Sequence, residues 1–325
     1  MSAMPAVKTA AQPLLAVRNL RVAFQSNRGA LVAVDGVDLD VQPGEVLGIA
    51  GESGSGKSVT LRAILGLVRA PGQVSGQVLW RGRDLIGRPE RELRRVRGGE
   101  IGIIFQEPMT ALNPVLSVGL QILENLKEHT QLDAAGRRAR AIELLDLVGI
   151  PAAASRLDDY PHQFSGGMRQ RAMIAIALAS NPKLLLADEP TTALDVTIQD
   201  QILKLILRLR DELKMSVVLV THDLGVIAQT CDRLAVMYAG RVAETGTVAA
   251  LFRAPRHAYT LGLLNSVPRA GLVRQPLASI PGQPPLLSQI PPGCAFAPRC
   301  PKAQAVCLST VPTLGGGNVA CHFPG

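Results

Sequence analysis

The sequence predicts an α/β fold: a mostly parallel sheet with helices on both faces, an antiparallel β subdomain, an inserted helical subdomain and a small cysteine-containing C-terminal extension. Three observations predict it. A short apolar strand, EVLGIA (45–50), runs into the glycine-rich loop GESGSGKS (51–58) and then into SVTLRAILGL (58–67), whose apolar spacing is helical. The same alternation returns in KLLLADEP (183–190), IQDQILKLILRLRDELK (198–214) and SVVLVTHD (216–223). Between those two halves, from about residue 107 to 165, helical periodicity continues with no strand. Alternating strands and helices argue for a parallel sheet covered on both faces.

The N-terminal residues 1–13 carry no pattern and are expected to be flexible. LLAVRNLRVAF and GVDLDV, within 14–49, alternate in polarity around a turn at Ser26–Gly29, which predicts an antiparallel β unit. One large domain is expected over 14–250, with its helical subdomain at about 107–180. In the helix 198–214, apolar residues at 202, 203, 205, 206 and 209 form the buried stripe. After residue 250 proline and glycine accumulate, as in IPGQPPLLSQIPPG (280–293), so the 251–325 extension is not expected to build a large core alone.

Composition narrows the class only a little. Hydrophobic residues make up 47% and aromatics 3% of 325 residues, so Leu, Val, Ile and Ala must fill the core. Lys and Arg outnumber Asp and Glu by 34 to 26, a net +8. That charge suits nucleic acid, nucleotide, an anionic membrane surface, or no partner at all, and alone decides nothing. The longest apolar run, AMIAIALAS (172–180), is far short of the roughly 18 residues that span a bilayer. The N-terminus lacks the features of a signal peptide. A cytosolic protein is expected, serving any membrane from its surface.

GESGSGKS matches the Walker A pattern in full. Gly51, Gly54 and Gly56 let backbone N–H groups converge on a phosphate at a helix N-terminus. Lys57 would reach the β- and γ-phosphates of ATP, and the Ser58 hydroxyl would ligate Mg²⁺. The nucleotide contacts are assigned to Gly51, Glu52, Ser53, Gly54, Ser55, Gly56, Lys57, Ser58 and Val59. LLLADE places Asp188 and Glu189 at the carboxyl end of a buried strand, where open α/β sheets bind ligands. Asp188 suits Mg²⁺ and Glu189 suits polarisation of an attacking water; an N-cap pair is the bland alternative.

With these motifs in order the chain resembles the ABC ATPase family. FSGGMRQR (164–171) looks like the family signature, with Met168 where glutamine is commonest. The resemblance implies that Ser165, Gly166, Gly167 and Met168 clamp the γ-phosphate of ATP held by an opposite subunit. Gln106 resembles the glutamine of the Q-loop, which senses Mg²⁺ and water. Asp195, in TTALD, resembles the D-loop aspartate at the subunit interface, and His222 resembles the switch histidine. Phe24 is expected to stack on adenine, a strand-core phenylalanine being the other reading.

A narrower resemblance covers nearly the whole chain. YPHQFSGGMRQRAMIAIALASNPKLLLADEPTTALDVT (160–197) and HAYTLGLLNSVPR (257–269), with Ala258 where proline is usual, look like the D-type ATPases of peptide importers, nickel and glutathione importers being near relatives. The resemblance implies an F-type ATPase as heterodimer partner, two transmembrane permeases, and a periplasmic or lipid-anchored binding protein. It also implies a peripheral position on the cytoplasmic face of the bacterial inner membrane, with no nucleic acid bound. The rivals are a soluble ABC ATPase acting on nucleic acid or ribosomes, and an exporter ATPase.

Four of the five cysteines, Cys294, Cys300, Cys307 and Cys321, fall within the last 32 residues as C-x₅-C-x₆-C-x₁₃-C. In a reducing cytosol such clustering favours metal over disulfides, although the paired C-x₂-C of common zinc sites is missing. Because some peptide-importer ATPases carry an iron–sulfur cluster here, a 4Fe–4S cluster is expected. Zinc is the alternative, then free thiols or disulfides. His322 is a spare ligand or a plain surface residue.

Overall fold

Polarity alternates along residues 15–41, and two long strands result, β1 (Leu15–Ser26) and β2 (Gly29–Val41), paired antiparallel. The computed structural model describes residues 12–26, 29–192, 194–267, 279–314 and 318–325. Residues 1–11 of the expected flexible N-terminus, the tip of the turn at 27–28, and Pro268–Arg269 of the C-terminal motif lie outside the described residues. The chain continues through β3 (Val46–Ala50) and α1 (Lys57–Ile64), then returns as β4 (Gly72–Trp80) and β5 (Arg83–Asp84). These complete a four-stranded sheet ordered β2-β1-β4-β5. The antiparallel sheet therefore draws on 15–41 and 72–84, whereas 46–49 of the expected 14–49 unit belong to β3 of the other sheet. GQVSGQVLW has few apolar positions to show a period, and its pairing with β1 makes it a strand.

After α2 (Glu90–Val96) and β6 (Ile101–Ile104) come the helices α3 (Pro108–Ala111), α4 (Val118–His129), α5 (Ala134–Leu147), α6 (Ala153–Arg156) and α7 (Gly166–Leu178). Side chains cap the longer ones: Ser117 Oγ accepts the Leu120 N–H at 3.2 Å, and Asp133 Oδ1 accepts that of Gly136 at 2.7 Å. The chain then alternates through β7 (Leu184–Asp188), α8 (Val196–Leu213), β8 (Ser216–Val220), α9 (Leu224–Thr230) and the hairpin β9 (Arg233–Tyr238) and β10 (Arg241–Thr247). The second sheet runs β10-β9-β3-β8-β7-β6, parallel throughout except for the β9–β10 pair. Every residue of β3, β7 and β8 is buried, as expected of parallel strands covered on both faces. Helix α8 buries Ile202, Leu205, Ile206 and Leu209, while Leu203 is half-buried. Among the described residues no helix is long and apolar enough to cross a membrane.

The C-terminal segment, with α10 (Val248–Arg253), α11 (Ala258–Asn265) and α12 (Ala305–Ser309), shares the core of its neighbours. Tyr259 and Phe296 are buried in one cluster with Leu234, Val236, Tyr238 and Leu251. The Tyr259 ring centroid is 4.6 Å from that of Tyr238 and 5.3 Å from that of Phe296. Burying two such rings contributes about 2–3 kcal/mol each. Buried Glu244 on β10 fixes the entry to α11 by accepting the N–H groups of Arg256 and His257 at 2.8 and 3.1 Å. Ala258 is the first residue of α11, a position where proline is favoured only because no N–H is needed, so alanine keeps the helix start.

His257 caps that helix, its Nδ1 accepting the Tyr259 N–H at 3.0 Å. Burial pushes its pKa down to about 4, although the nearby Glu244 carboxylate pulls upward. The unfolded chain protonates the same imidazole near pH 6.5. Its contribution is thus complete above about pH 6.5 and is lost as pH falls towards 4, by on the order of 3 kcal/mol in all. Melting midpoints between pH 7.5 and 4.5 are expected to fall more steeply in the native protein than in a His257→Gln variant. Parallel slopes would assign the acid sensitivity to other groups.

Candidate functional site

Four adjacent parallel strands, β3, β8, β7 and β6, end at the same edge of the sheet, so the residues that follow them meet there. Gly51–Ser58 follow β3, Thr221 and His222 follow β8, Asp188 and Glu189 close β7, and Gln106 lies two residues past β6. Sites that are distant in sequence are brought together by register: Ala187 is paired with Leu219 and Asp188 with Val220.

The glycine loop is shaped by close approach. A Cβ on Gly51 would lie 2.2 Å from the Met237 carbonyl oxygen, so no larger residue fits. Gly54 has open space around it but adopts φ +78°. The loop is tied to the β9–β10 turn by the Gly240 N–H, which donates to Ser55 O at 3.0 Å. Lys57, 5% exposed, turns its Nζ back onto Gly51 O (2.8 Å), Glu52 O (3.0 Å) and Ser55 Oγ (3.4 Å). Burial lowers its pKa, while Glu189, Asp188 and Glu52 pull it back up.

Two carboxylates face this loop. Ser58 Oγ donates to Asp188 Oδ1 at 2.9 Å. Burial raises the Asp188 pKa, and the Ser58 hydrogen bond counters it. Glu189 Oε2 accepts from Thr192 Oγ1 at 2.8 Å and from Gln106 Nε2 at 3.3 Å, and lies 3.3 Å from His222 Nδ1. Glu189 has φ +46°, a left-handed conformation that costs a non-glycine residue about 1–3 kcal/mol. Its N–H is held by Val220 O at 2.9 Å. Strain of this kind persists where surrounding structure enforces it, and here it aims a carboxylate out of the strand end.

The remaining expected residues lie elsewhere. Ser165 caps α7, its Oγ accepting the Met168 N–H at 3.3 Å, and Ser165 and Gly166 are exposed. Asp195 caps α8 by accepting the Ile198 N–H at 2.9 Å and is also exposed; Ala193 beside it is outside the described residues. Among the described residues, no hydrogen bond joins Ser165–Met168 to the glycine loop. Phe24 is half-buried on β1 opposite Leu31 and Gly72, and packs against the core, as does Val59 on α1. Ser53 is exposed at the loop tip.

Comparison with known proteins agrees with this geometry. Residues 34–192 match the family model described as ABC transporter, and residues 243–307 match the oligopeptide/dipeptide transporter C-terminal region. The dipeptide transport ATP-binding protein DppD of Escherichia coli is 50% identical over 316 residues, 96% of this chain and 97% of that protein. The oligopeptide transport ATP-binding protein OppD of the same organism is 47% identical, over 95% of this chain and 92% of that protein. The dimeric bacterial ABC transporter cassette MJ0796 superposes with a TM-score of 0.65 at 31% identity, covering 72% of this chain and 98% of that one. The chain belongs to the ABC transporter family. It is an ATP-hydrolysing enzyme of the branch that carries the oligopeptide/dipeptide C-terminal region.

One expectation for this ABC ATPase is corrected. Cys294, Cys300, Cys307 and Cys321 do line one small pocket, beside His257, Lys302 and His322. Among the described residues, however, no group of three or more His, Cys, Asp or Glu side chains is arranged to hold a metal ion. The pocket offers about 20 Å³, room for about one water and not for a four-iron cluster. Among the described residues all the thiols are free, and burial raises the pKa of Cys294 and Cys321. Neither the 4Fe–4S cluster nor the zinc alternative fits. The fold brings the four thiols to the lining of one pocket without forming such a group among the described residues.

Three residues that touch the site were not found from sequence: Thr192, Tyr259 and Arg299. The Tyr259 hydroxyl accepts the Glu52 N–H at 2.8 Å. Arg299 grips the Glu52 carboxylate. Only Thr192, three residues beyond Glu189, left a local signal.

The glycine loop generates a contrast. Gly51→Ala must push the Met237 carbonyl aside and is expected to cost about 2–4 kcal/mol and abolish nucleotide binding. Gly54→Ala meets no atom and pays only for its φ, about 1 kcal/mol. Thermal melts and nucleotide titration of both variants check this, and equal losses would show that loop shape is not set by the Gly51 contact.

Proposed function

We propose that this chain is the ATP-hydrolysing subunit that energises an importer of peptides. The observation that carries the chemistry is the convergence of Gln106, Thr192 and His222 on one Glu189 oxygen, beside the Ser58–Asp188 pair. The peptide assignment is supported by the C-terminal region at 243–307 and by the names of OppD and DppD.

Residues 14–250 act as the nucleotide-binding domain, and residues 251–325 are its appended region. The N–H groups of Gly51–Ser58 and the Lys57 ammonium bind the phosphates of ATP. Phe24 lies against the adenine. The Ser58 hydroxyl and the Asp188 carboxylate are hard oxygen donors that would hold Mg²⁺. When bound, the ion neutralises charge on the transferring phosphoryl group. Glu189 orients the attacking water and takes its proton. Gln106, Thr192 and His222 hold that carboxylate in place, and the strained backbone at Glu189 keeps it pointed at the edge of the sheet.

Ser165–Met168 and Asp195 serve a second subunit. The exposure of Ser165, Gly166 and Asp195 supports that reading, as do the lack, among the described residues, of hydrogen bonds from Ser165–Met168 to this chain's own glycine loop and the dimeric state named for MJ0796. The partner is an F-type ABC ATPase, and the pair drives two transmembrane permeases fed by a periplasmic or lipid-anchored binding protein. The chain works peripherally at the cytoplasmic face of the inner membrane, without binding nucleic acid. ATP-dependent uptake of labelled di- and oligopeptides into proteoliposomes holding the complete importer tests the assignment. Uptake of nickel or glutathione without peptide would overturn it.

With the partner ATPase disabled, Glu189→Gln is expected to bind Mg-ATP as well as wild type and to lower turnover by about 10²–10⁴-fold. Phosphate release and nucleotide titration on the same preparation separate the two effects. Turnover within about twofold of wild type would remove Glu189 from the chemistry.

A further inference from the structure

Glu52, the second residue of the glycine loop, places a negative charge where a polyphosphate is to bind, and its charge is felt at Lys57. That charge is met from the far end of the chain. Arg299 Nη1 and Nη2 donate to Glu52 Oε2 and Oε1 at 2.7 and 3.0 Å, a bidentate fork. The other guanidinium hydrogens go to Pro281 O (2.9 Å), Ile280 O (3.4 Å) and Tyr238 Oη (3.3 Å), so all five donors are engaged. Phe296 and Tyr238 flank the group, with centroids 5.9 and 5.8 Å from Cζ. The Arg299 side chain is 5% exposed and cannot swing away without breaking this set.

The backbone of Glu52 is held by the same segment. Its N–H donates to the Tyr259 hydroxyl, and Tyr259 is completely buried. The carbonyl of Glu52 in turn receives Lys57 Nζ and the Ser55 N–H. One residue thus links the extension, through its N–H and carboxylate, to the loop lysine, through its carbonyl.

We infer that Arg299 and Tyr259 are positioning residues for ATP: the C-terminal region clamps Glu52, cancels its charge and holds the first turn of the glycine loop in its phosphate-binding shape. Neither touches nucleotide; both act through Glu52. The extension is in this respect a structural half of the ATP site. The inference rests on the reading of residues 51–58 as that site.

The effect of such a clamp falls on binding, because the residues around Glu189 are left alone. Titration of the purified full chain with a fluorescent ATP analogue and Mg²⁺ reads it directly. Arg299→Met leaves the carboxylate unpaired and is expected to raise Kd at least about fivefold, while Arg299→Lys, which keeps the charge, stays within about threefold. Tyr259→Phe keeps the ring and removes the acceptor, and is expected to raise Kd about two- to fourfold. In the assembled importer the same variants should raise KM for ATP and leave kcat within about twofold, a split that general loss of folded protein would not produce.

Arg299→Met and Tyr259→Phe proteins that bind the analogue like wild type would overturn the clamp. So would an unchanged KM with a reduced kcat. Should Arg299→Met fail to fold, Tyr259→Phe decides alone, and an unaltered Kd there sinks the inference. Wild type and Lys57→Ala serve as controls. If wild type itself binds no ATP, the reading of the site has failed rather than the clamp.

Discussion

A one-residue slip between β7 and β8 would dismantle the site, because side chains alternate faces along a strand. Asp188 would leave Ser58, Glu189 would lose the Val220 carbonyl that holds its strained backbone, and the carboxylate would no longer face Gln106 and His222. The slip is prevented by burial on both faces. LLLAD and SVVLV are covered on both faces, so a shifted register would force side chains of different shape into a close-packed interior. The catalytic edge is thus a consequence of how completely the sheet interior is covered.

On that edge the dominant problem is charge in a dry place. Lys57, Asp188 and Glu52 crowd one loop, and burial opposes the ionised forms of Lys57 and Asp188. The structure answers each locally. Asp188 accepts the Ser58 hydroxyl, Lys57 binds three oxygens of its own loop, and Glu52 receives the Arg299 fork. A bidentate pair with a fully engaged guanidinium suits this task better than an ammonium, since little rotamer freedom remains to be lost.

Legibility in the sequence followed the range of the interaction. The glycine loop, the carboxylates closing LLLADE and the three buried strands are local patterns, and their local structure can be read from spacing alone. The histidine after SVVLVT and the glutamine after IGIIF required a family resemblance to acquire meaning. Their meeting at Glu189 spans 33 and 83 residues respectively and appears only once the strands are ordered. β4 and β5 were hidden because sparse apolar positions show no period; β4 is defined by pairing with β1, and β5 by pairing with β4. The cysteines show the opposite failure. Their clustering and a family resemblance led to a metal, but among the described residues no group is arranged to hold one, and a pocket of about 20 Å³ holds no cluster.

Arg299 and Tyr259 mark the limit of such reading, acting on Glu52 across 247 and 207 residues. Nothing in APRCP or HAYTL announces a phosphate loop. The physical reason for the long reach lies in the core. A proline- and glycine-rich tail cannot bury enough apolar surface by itself, so Tyr259 and Phe296 share the cluster around Val236 and Tyr238 on β9. β9 is hydrogen-bonded to β3, the strand that delivers the glycine loop. A segment that must borrow its core from β9 is thereby seated next to Glu52, and its polar groups come within reach of that residue. The dependence runs both ways: the C-terminal segment packs against β9, and the glycine loop is held at Glu52 by that segment.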